Sequence, residues 1–306
     1  MHISFFCKDD NASAWLDDLR AALPQAIVTP WQPGAALADL AVVWAPPQHM
    51  FDEQTKLRTI FNVGAGVDAL MQLRLPPQAL VVRLDDAGMA VQMAEYVCHA
   101  VSQYTRGFDR YQSAAHDANW VRRPPLNRAE FPVGIMGLGV LGQRVAQALQ
   151  HFEYPVQGWS RTLKAISGVR CYAGPSQLAE FLASSRLLVC LLPLTPETKG
   201  ILNLATLSQL QPNGYLINVA RGAHLVEADL LALLDSGHLA GATLDVFRTE
   251  PLPPSHPFWR HPRIRVTPHI SASTLPRQSM AQIVGKIQAL ARGEPVSAIV
   301  NPNHGY

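Results

Sequence analysis

Arg221, Glu250 and His269 are the residues of this chain whose types and settings could carry out a reaction together. Each follows an apolar run that reads as a strand: Arg221 comes after Leu216-Ile217-Asn218-Val219-Ala220, Glu250 shortly after Leu244-Asp245-Val246-Phe247, and His269 after Val266-Thr267-Pro268. Open α/β sheets bind ligands outside the carboxyl ends of their strands, which gives the three residues a common rim. An Arg there can hold a 2-oxo acid by its carboxylate and polarise its carbonyl. A His can donate the proton that the carbonyl oxygen needs on reduction, and a Glu beside it can stabilise the imidazolium. Any one of them alone is as readily structural. Together, at corresponding strand ends, they fit carbonyl reduction.

A reduction needs a reductant, and one stretch is built to hold one. Val133 to Met136 is a short apolar run, and Gly137, Gly139 and Gly142 follow in the spacing G-x-G-x-x-G before helix-forming residues Gln143 to Gln150. Spacing alone proves little, because at a glycine usage of about 7 % three glycines at fixed offsets turn up in roughly one chain in ten of this length. The strand-turn-helix context discriminates. The first glycine permits a tight turn, the second lets backbone approach a pyrophosphate, and the third lets the helix pack closely on its strand. The new helix then offers unpaired N–H groups and partial positive charge to phosphates.

The choice of dinucleotide should be made at the end of the next strand, about 20 residues on. There stand Ser160, Arg161 and Thr162, with Ser160 18 residues after Gly142 and no carboxylate among them. An acidic side chain would take ribose hydroxyls and repel a 2′-phosphate, whereas Arg161 can give the phosphate charge-assisted hydrogen bonds. The segment therefore predicts NADP(H) as the preferred cofactor, with NAD(H) possible. Arg161 could instead only cap the adenine face.

Composition limits the other possibilities. The chain has 306 residues, 48 % hydrophobic and 16 % charged, which suits a soluble globular enzyme of two domains or one large one. A net charge of +2 argues against a nucleic-acid surface or an acidic-lipid anchor. Cys7, Cys98, Cys171 and Cys190 are scattered without C-x-x-C spacing and read as buried free thiols, and His99, His116, His151, His256 and His261 lack ligand spacing, so no metal is expected. The apolar start is cut short by Lys8, Asp9 and Asp10, too soon for a signal peptide, and the run Leu187 to Leu194 is far shorter than a membrane span. A cytoplasmic protein with no membrane association is expected.

Candidate strands and helices alternate along the chain, which predicts an α/β fold with parallel sheets covered on both faces. Strands are expected at Ile3–Cys7, Ile27–Thr29, Ala41–Trp44, Thr59–Val63 and Leu80–Val82, then at Pro155–Trp159, Leu187–Leu192, Gly214–Val219, Ala242–Val246 and Arg263–Thr267. Helical periodicity runs from Met89 to His116 without proline and could bridge two lobes; further helices are expected at Trp15–Ala22, Glu197–Gln211, Glu227–Ser236 and beyond Pro276. Trp120–Arg128 reads as a loop. Gly64-Ala65-Gly66-Val67-Asp68 forms a second glycine-rich turn after a strand; it is either a plain βα loop or a seat for a small anion.

The chain resembles the D-2-hydroxyacid dehydrogenase family, in particular its glyoxylate/hydroxypyruvate reductase A branch. The resemblance rests on Gly64-Ala65-Gly66-Val67-Asp68, the Gly137 to Gly142 turn, Leu192-Pro193-Leu194-Thr195-Pro196-Glu197-Thr198, Asn218-Val219-Ala220-Arg221-Gly222, Leu244 to Phe247 with Glu250-Pro251-Leu252, and Thr267-Pro268-His269, in the family's order. It implies two doubly wound, Rossmann-like lobes: a substrate-binding domain of residues 1–97 plus 277–306, and a NAD(P)-binding domain of residues 98–276 inserted between them. It also implies that Arg221, Glu250 and His269 are catalytic. Cofactor contacts would fall on Gly137, Gly139, Val140, Leu141, Gly142, Ser160, Arg161, Thr162, Leu192, Pro193, Thr198, Ala220, Arg221 and Asp245, the last facing the nicotinamide. Substrate contacts would fall on Ala65, Gly66 and Val67 with Arg221 and His269, and Trp44 is a candidate pocket wall or an ordinary core residue. The implied activity is NADPH-dependent reduction of glyoxylate to glycolate and hydroxypyruvate to D-glycerate, in a homodimer. Two alternatives stay open: a reductase of larger 2-oxo acids such as phenylpyruvate, and a dinucleotide-sensing, corepressor-like binding protein on the same fold.

Overall fold

The computed structural model describes residues 1–8 and 12–301. Asp9, Asp10 and residues 302–306, which enter the expectations above, lie outside the described residues. The chain forms two compact units: unit 1 is Met1–Gly88 with Thr274–Tyr306, and unit 2 is Met89–Ser273. The divisions fall ahead of the expected 97/98 and 276/277. The reason at the first is packing: Met93, Ala94 and Val97 are buried together with Ile135, Val145 and Leu149 of unit 2.

Unit 1 contains β1 (His2–Cys7), α1 (Ala12–Ala22), β2 (Ile27–Pro30), β3 (Leu40–Trp44), α2 (Gln48–Glu53), β4 (Thr59–Asn62) and β5 (Leu80–Val82). The strands pair in parallel in the order β2-β1-β3-β4-β5. Short apolar runs buried on both faces are what a parallel sheet covered by helices requires; in β4 all four residues are buried. The carboxyl end of β3 carries Trp44, and that of β4 runs through Asn62 into the Gly64 turn.

Unit 2 begins with α3 (Met89–Arg106) and α4 (Phe108–His116). It continues with β6 (Val133–Met136), α5 (Val140–His151), β7 (Val156–Ser160), β8 (Arg170–Ala173), α6 (Leu178–Ala183), β9 (Leu187–Cys190), α7 (Leu204–Leu207), β10 (Gly214–Asn218), α8 (Glu227–Asp235), β11 (Leu239–Leu244) and β12 (Ile264–Val266). Its parallel sheet runs β12-β11-β10-β9-β6-β7-β8. The strand order reverses between β6 and β9, the switch point where doubly wound sheets open a crevice for a ligand. One core, centred on Leu188, Leu216 and Leu244, packs one side of this sheet, and another, with Ile135, Val189 and Ile217, packs the other.

The chain then returns to unit 1 through α9 (Pro276–Ala291), which has proline in its first turn and buries Met280, Ile283, Val284 and Ile287. Ile299 bridges antiparallel to Val82. Lys286, only 7 % exposed, donates to Arg83 O at 2.9 Å and Ser297 O at 3.1 Å and lies 3.0 Å from Asp85 Oδ2. These contacts tie the returning segment to the end of β5.

Four local features differ from expectation. The stretch from Met89 to His116 is broken at Gly107, whose φ of 61° is left-handed. The helix expected at Glu197–Gln211 shrinks to α7, because Gly200 is also left-handed, with φ 68°. Asn203 then starts the helix anew by accepting from Thr206 N. Finally, β11 starts at Leu239, ahead of the expected Ala242, and the edge strand β8 was not expected at all.

Candidate active site

At the switch point of unit 2, geometry separates the three glycines of the β6–α5 turn. Gly137 has φ 103°, and a Cβ there would lie 2.7 Å from Leu191 O. A Cβ on Gly142 would lie 1.9 Å from Gly137 O, so this glycine lets α5 press onto its own turn. Gly139 caps α5 at φ −75°, and a Cβ built on it meets nothing within 4 Å. The fold does not need glycine at 139; an approaching ligand would. The N–H groups of the first turn, including Val140 and Leu141, have no partner inside the helix, and Val140 is half exposed. The turn therefore fits a dinucleotide pyrophosphate. Across the switch point Leu191 N donates to Met136 O at 2.8 Å. Thr198 Oγ1 donates to Pro193 O at 2.7 Å and accepts from Thr195 N at 2.9 Å, which closes the 193–198 loop beside the buried Leu192.

At the end of β7, Ser160 is buried and its hydroxyl donates to Thr162 O at 2.8 Å, while Arg161 and Thr162 are exposed. Ser160 shapes the turn, and Arg161 is left as its exposed cation. The segment offers an anion no repulsion.

The rim of β10, β11 and β12 brings the three chemical residues onto adjoining loops. After β10, Asn218 Nδ2 donates to Arg221 O at 3.1 Å and its Oδ1 accepts from Ala220 N at 3.3 Å. Fully buried His224 lies 3.2 Å from Arg221 N through Nδ1 and 3.2 Å from Pro193 O through Nε2, so one ring joins the Arg221 loop to the 193–198 loop. Gly222 seats this loop against the next: a Cβ would fall 1.9 Å from Phe247 C. After β11, Glu250 Oε1 accepts from Phe247 N at 2.9 Å, and its Oε2 lies 2.8 Å from His269 Nδ1. With Nδ1 donating to the carboxylate, Nε2 is the ring nitrogen without a partner among the described residues, and it can meet a carbonyl oxygen.

His269 itself has φ 57°, a left-handed conformation uncommon for a residue with a Cβ. Asp245 secures it: its carbonyl accepts from His269 N at 2.8 Å, Oδ1 accepts from Thr267 Oγ1 at 2.6 Å and Ile270 N at 2.9 Å, and Oδ2 accepts from Ser271 N at 2.8 Å. Asp245, expected to face the nicotinamide, is fully buried. The reason is this set of donors, which turns the carboxylate into the His269 loop.

In unit 1, the Gly64 turn is held by Asn62, whose Nδ2 donates to Gly64 O at 3.1 Å and Gly66 O at 2.9 Å. The N–H groups of Ala65, Gly66 and Val67 take no acceptor among the described residues, as a seat for an anion requires. Val67 contributes backbone alone, because its side chain is buried in the unit 1 core. Trp44, 37 % exposed, lies over the turn: a Cβ on Gly64 would meet its ring at 2.5 Å. Asn62, His224 and Thr267 carry no expected role from the sequence. Asn62 and Thr267 each stand at or just beyond a strand end, and Thr267 lies in the Thr267-Pro268-His269 stretch.

Among the described residues no helix is long and apolar enough to cross a membrane, and no cluster of His, Cys, Asp and Glu could hold a metal ion. None of the four cysteines is in a disulfide, and of the four expected to be buried only Cys190, at the end of the central strand β9, is; Cys7, Cys98 and Cys171 are partly exposed. Burial pushes the Cys98 thiol up to about 11 and that of Cys190 to about 12, which keeps both as inert thiols.

Comparison with known proteins agrees with this geometry. Residues 98–271 match the family described as D-isomer specific 2-hydroxyacid dehydrogenase, NAD binding domain. Glyoxylate/hydroxypyruvate reductase A of Serratia proteamaculans is 49 % identical over 100 % of both chains, and that of Yersinia enterocolitica is 45 % identical over the same share. A D-isomer specific 2-hydroxyacid dehydrogenase from Xanthobacter autotrophicus, solved with NADPH and MES, superposes with a TM-score of 0.93 at 39 % identity, covering 100 % of this chain and 99 % of that one. The NADPH-dependent glyoxylate/hydroxypyruvate reductase of Sinorhizobium meliloti, solved with NADP and sulfate, gives 0.92 at 35 % identity, again over 100 % and 99 %. With its two doubly wound sheets, its glycine turn and its His–Glu pair, the chain belongs to the D-isomer specific 2-hydroxyacid dehydrogenase family.

Proposed function

We propose that the protein reduces small 2-oxo acids with NADPH, converting glyoxylate to glycolate and hydroxypyruvate to D-glycerate. The observation that carries the reading is the 2.8 Å contact of His269 Nδ1 with Glu250 Oε2 on the loops beside Arg221. It supplies an oriented acid at the rim where a sheet of this kind opens. The names and bound nucleotides of the relatives above support the same substrate class and cofactor.

When bound, the reduced dinucleotide supplies hydride. The backbone around Gly137, Gly139 and Gly142 would hold its pyrophosphate and Arg161 its 2′-phosphate, with the loops at Leu192–Thr198 and Ala220 beside it. Arg221 binds the oxo acid through its guanidinium and polarises the carbonyl, His269 Nε2 gives the carbonyl oxygen its proton, and Glu250 balances the imidazolium charge. Within unit 1, the N–H groups of Ala65, Gly66 and Val67 form a seat suited to a carboxylate, and Trp44 over Gly64 would favour a small acid there. We further propose that unit 1 is the substrate domain, unit 2 the nucleotide domain, and the cytoplasmic protein a homodimer.

The test is a panel of glyoxylate, hydroxypyruvate and phenylpyruvate with NADPH and NADH, followed at 340 nm. Glyoxylate and hydroxypyruvate with NADPH should be used best, and His269→Gln should lower turnover by about 10²- to 10⁴-fold with NADPH binding intact. Preference for phenylpyruvate would replace the substrate assignment. No turnover with any acid, alongside tight NADPH binding, would favour a binding protein over an enzyme.

A further inference from the structure

We propose that Tyr96 is a positioning residue for the reduction, acting through Thr267 and the buried Asp245 to set the place of His269. The inference rests on the assignment of His269 as proton donor. Tyr96 sits on α3, remote in sequence from the loop that carries the histidine. Its hydroxyl nevertheless lies 2.5 Å from Thr267 Oγ1, which in turn lies 2.6 Å from Asp245 Oδ1.

Donor accounting gives this chain a direction. The Asp245 carboxylate can only accept here, so the single hydroxyl proton of Thr267 is committed to it. The Thr267 oxygen must then accept from Tyr96. Burial pushes the Tyr96 phenol up to about 12 against the pull of the Thr267 hydrogen bond, so it remains a donor across the working range.

One turn earlier on the same face of α3, Gln92 makes a second attachment: its Nε2 donates to Ser273 O at 3.0 Å and its Oε1 accepts from Ser273 N at 3.1 Å. The segment from Thr267 to Ser273 is thus fastened to α3 at both ends. His269 stands inside that span at φ 57°. A left-handed backbone at a residue with a Cβ persists only where its surroundings over-determine it, so the place of His269 depends on the fastenings of the span. The Tyr96 fastening is the one that ends on Asp245, which holds the backbone N–H groups of His269, Ile270 and Ser271. Its loss should be felt as a displaced imidazole, because errors of about 1 Å in a reacting group cost up to about 100-fold in rate.

Tyr96→Phe removes the hydroxyl and keeps the ring. At saturating glyoxylate and NADPH we expect kcat to fall about 5- to 30-fold, with KM for glyoxylate and NADPH affinity within about 2-fold of wild type. The solvent deuterium isotope effect on kcat should rise, because proton delivery becomes the slow event. In the His269→Gln background the same substitution should change kcat by less than about 2-fold, since the group being positioned is gone. Thr267→Val should reproduce the loss and Thr267→Ser, which keeps the hydroxyl, should restore turnover; this pair carries the test if Tyr96→Phe does not fold. A purely structural role predicts a lowered thermal midpoint with unchanged kcat and isotope effect, and that result overturns the inference. So does an equal loss in the His269→Gln background. High turnover in His269→Gln alone would instead refute the proton-donor assignment, and this inference with it.

Discussion

Gly139→Ala separates what the fold requires from what the cofactor requires. The residue has φ −75° and ψ −166°, open to any amino acid, and an added methyl would touch nothing within 4 Å. Replacing glycine at an unstrained site stabilises by about 0.4–1 kcal/mol through the unfolded chain, while alanine is a poorer N-cap than glycine by an amount of similar size. The two offset each other, so the melting temperature without cofactor should move by no more than about 2–4 °C. Binding is another matter. The methyl occupies the space through which the pyrophosphate would reach the first turn of α5, and losing one charge-assisted hydrogen bond costs about 1.5–3 kcal/mol. That is roughly a 10- to 150-fold weaker NADPH affinity, measurable by quenching of protein fluorescence. Gly142→Ala is the contrast: its Cβ would start 1.9 Å from Gly137 O, the turn must give way, and overpacking of about 1–3 kcal/mol should appear in the melting temperature itself. The reasoning is refuted if Gly139→Ala binds NADPH within 3-fold of wild type, or if it melts as low as Gly142→Ala.

Arg161→Ala should weaken NADPH use by about 10- to 100-fold, the worth of charge-assisted bonds to a 2′-phosphate, and leave NADH almost unchanged; a wild type that prefers NADH would show that the segment does something else. Asn62→Ala frees the Gly64 turn from both of its side-chain bonds and should raise KM for glyoxylate about 10-fold with KM for NADPH steady, whereas parallel damage to both would indicate misfolding. Asp85 gives a pH signature: burial works to raise its carboxyl, but hydrogen bonds from Ser297 and Lys286, with the charges of Lys286 and Arg83, hold it below the ordinary aspartate value. A carboxyl lowered in the fold stabilises above its unfolded value and loses that contribution as pH falls through the folded one. Asp85→Asn should therefore melt about 2–4 °C lower at pH 7, with the gap to wild type closing below about pH 4; a constant gap would remove the ion pair from the explanation.

The sequence was most informative where a local signal coincides with a structural demand. Buried parallel strands must be apolar along their whole length, so β4, β6, β9 and β10 are visible as runs, and the residues that end them, Arg221 among them, are visible as interruptions. The strand β8 lacks that signature, since it begins at Arg170 on the sheet edge, where only one neighbour needs covering. Helical periodicity runs on through Gly107 and Gly200, because a single glycine is tolerated within a helix, and the left-handed φ that interrupts it there is a tertiary outcome. The site follows the same rule. Arg221, Glu250 and His269 carry chemistry in their side chains and can be picked out. Tyr96, Thr267, His224 and Asn62 hold loops through partners 171, 22, 31 and 2 residues away, and the longer of these separations leave no trace in local spacing. Asp245 shows both sides: its place after β11 was legible, and the direction of its carboxylate was not.

The pair of hydrogen bonds between Gln92 and Ser273 has a consequence for how the chain reaches its fold. Unit 2 is one continuous segment, whereas unit 1 must join its first part to a segment that begins at Thr274. Its joining contacts, such as Asp85 N with Gln282 Oε1, span 197 residues. With the intervening chain unfolded, closing such a loop costs about 4–5 kcal/mol of entropy. Gln92 and Ser273 lie at opposite ends of unit 2 and clasp each other, so once unit 2 has folded, both segments of unit 1 leave from neighbouring points. The loop that remains to be closed is then only on the order of ten residues, which returns about 2–3 kcal/mol. During synthesis from the amino end, residues 1–88 must wait for α9 and Ile299, while residues 89–273 can fold as soon as they emerge. Expressed alone, the inner segment should fold independently, and the outer two, mixed as separate peptides, should not.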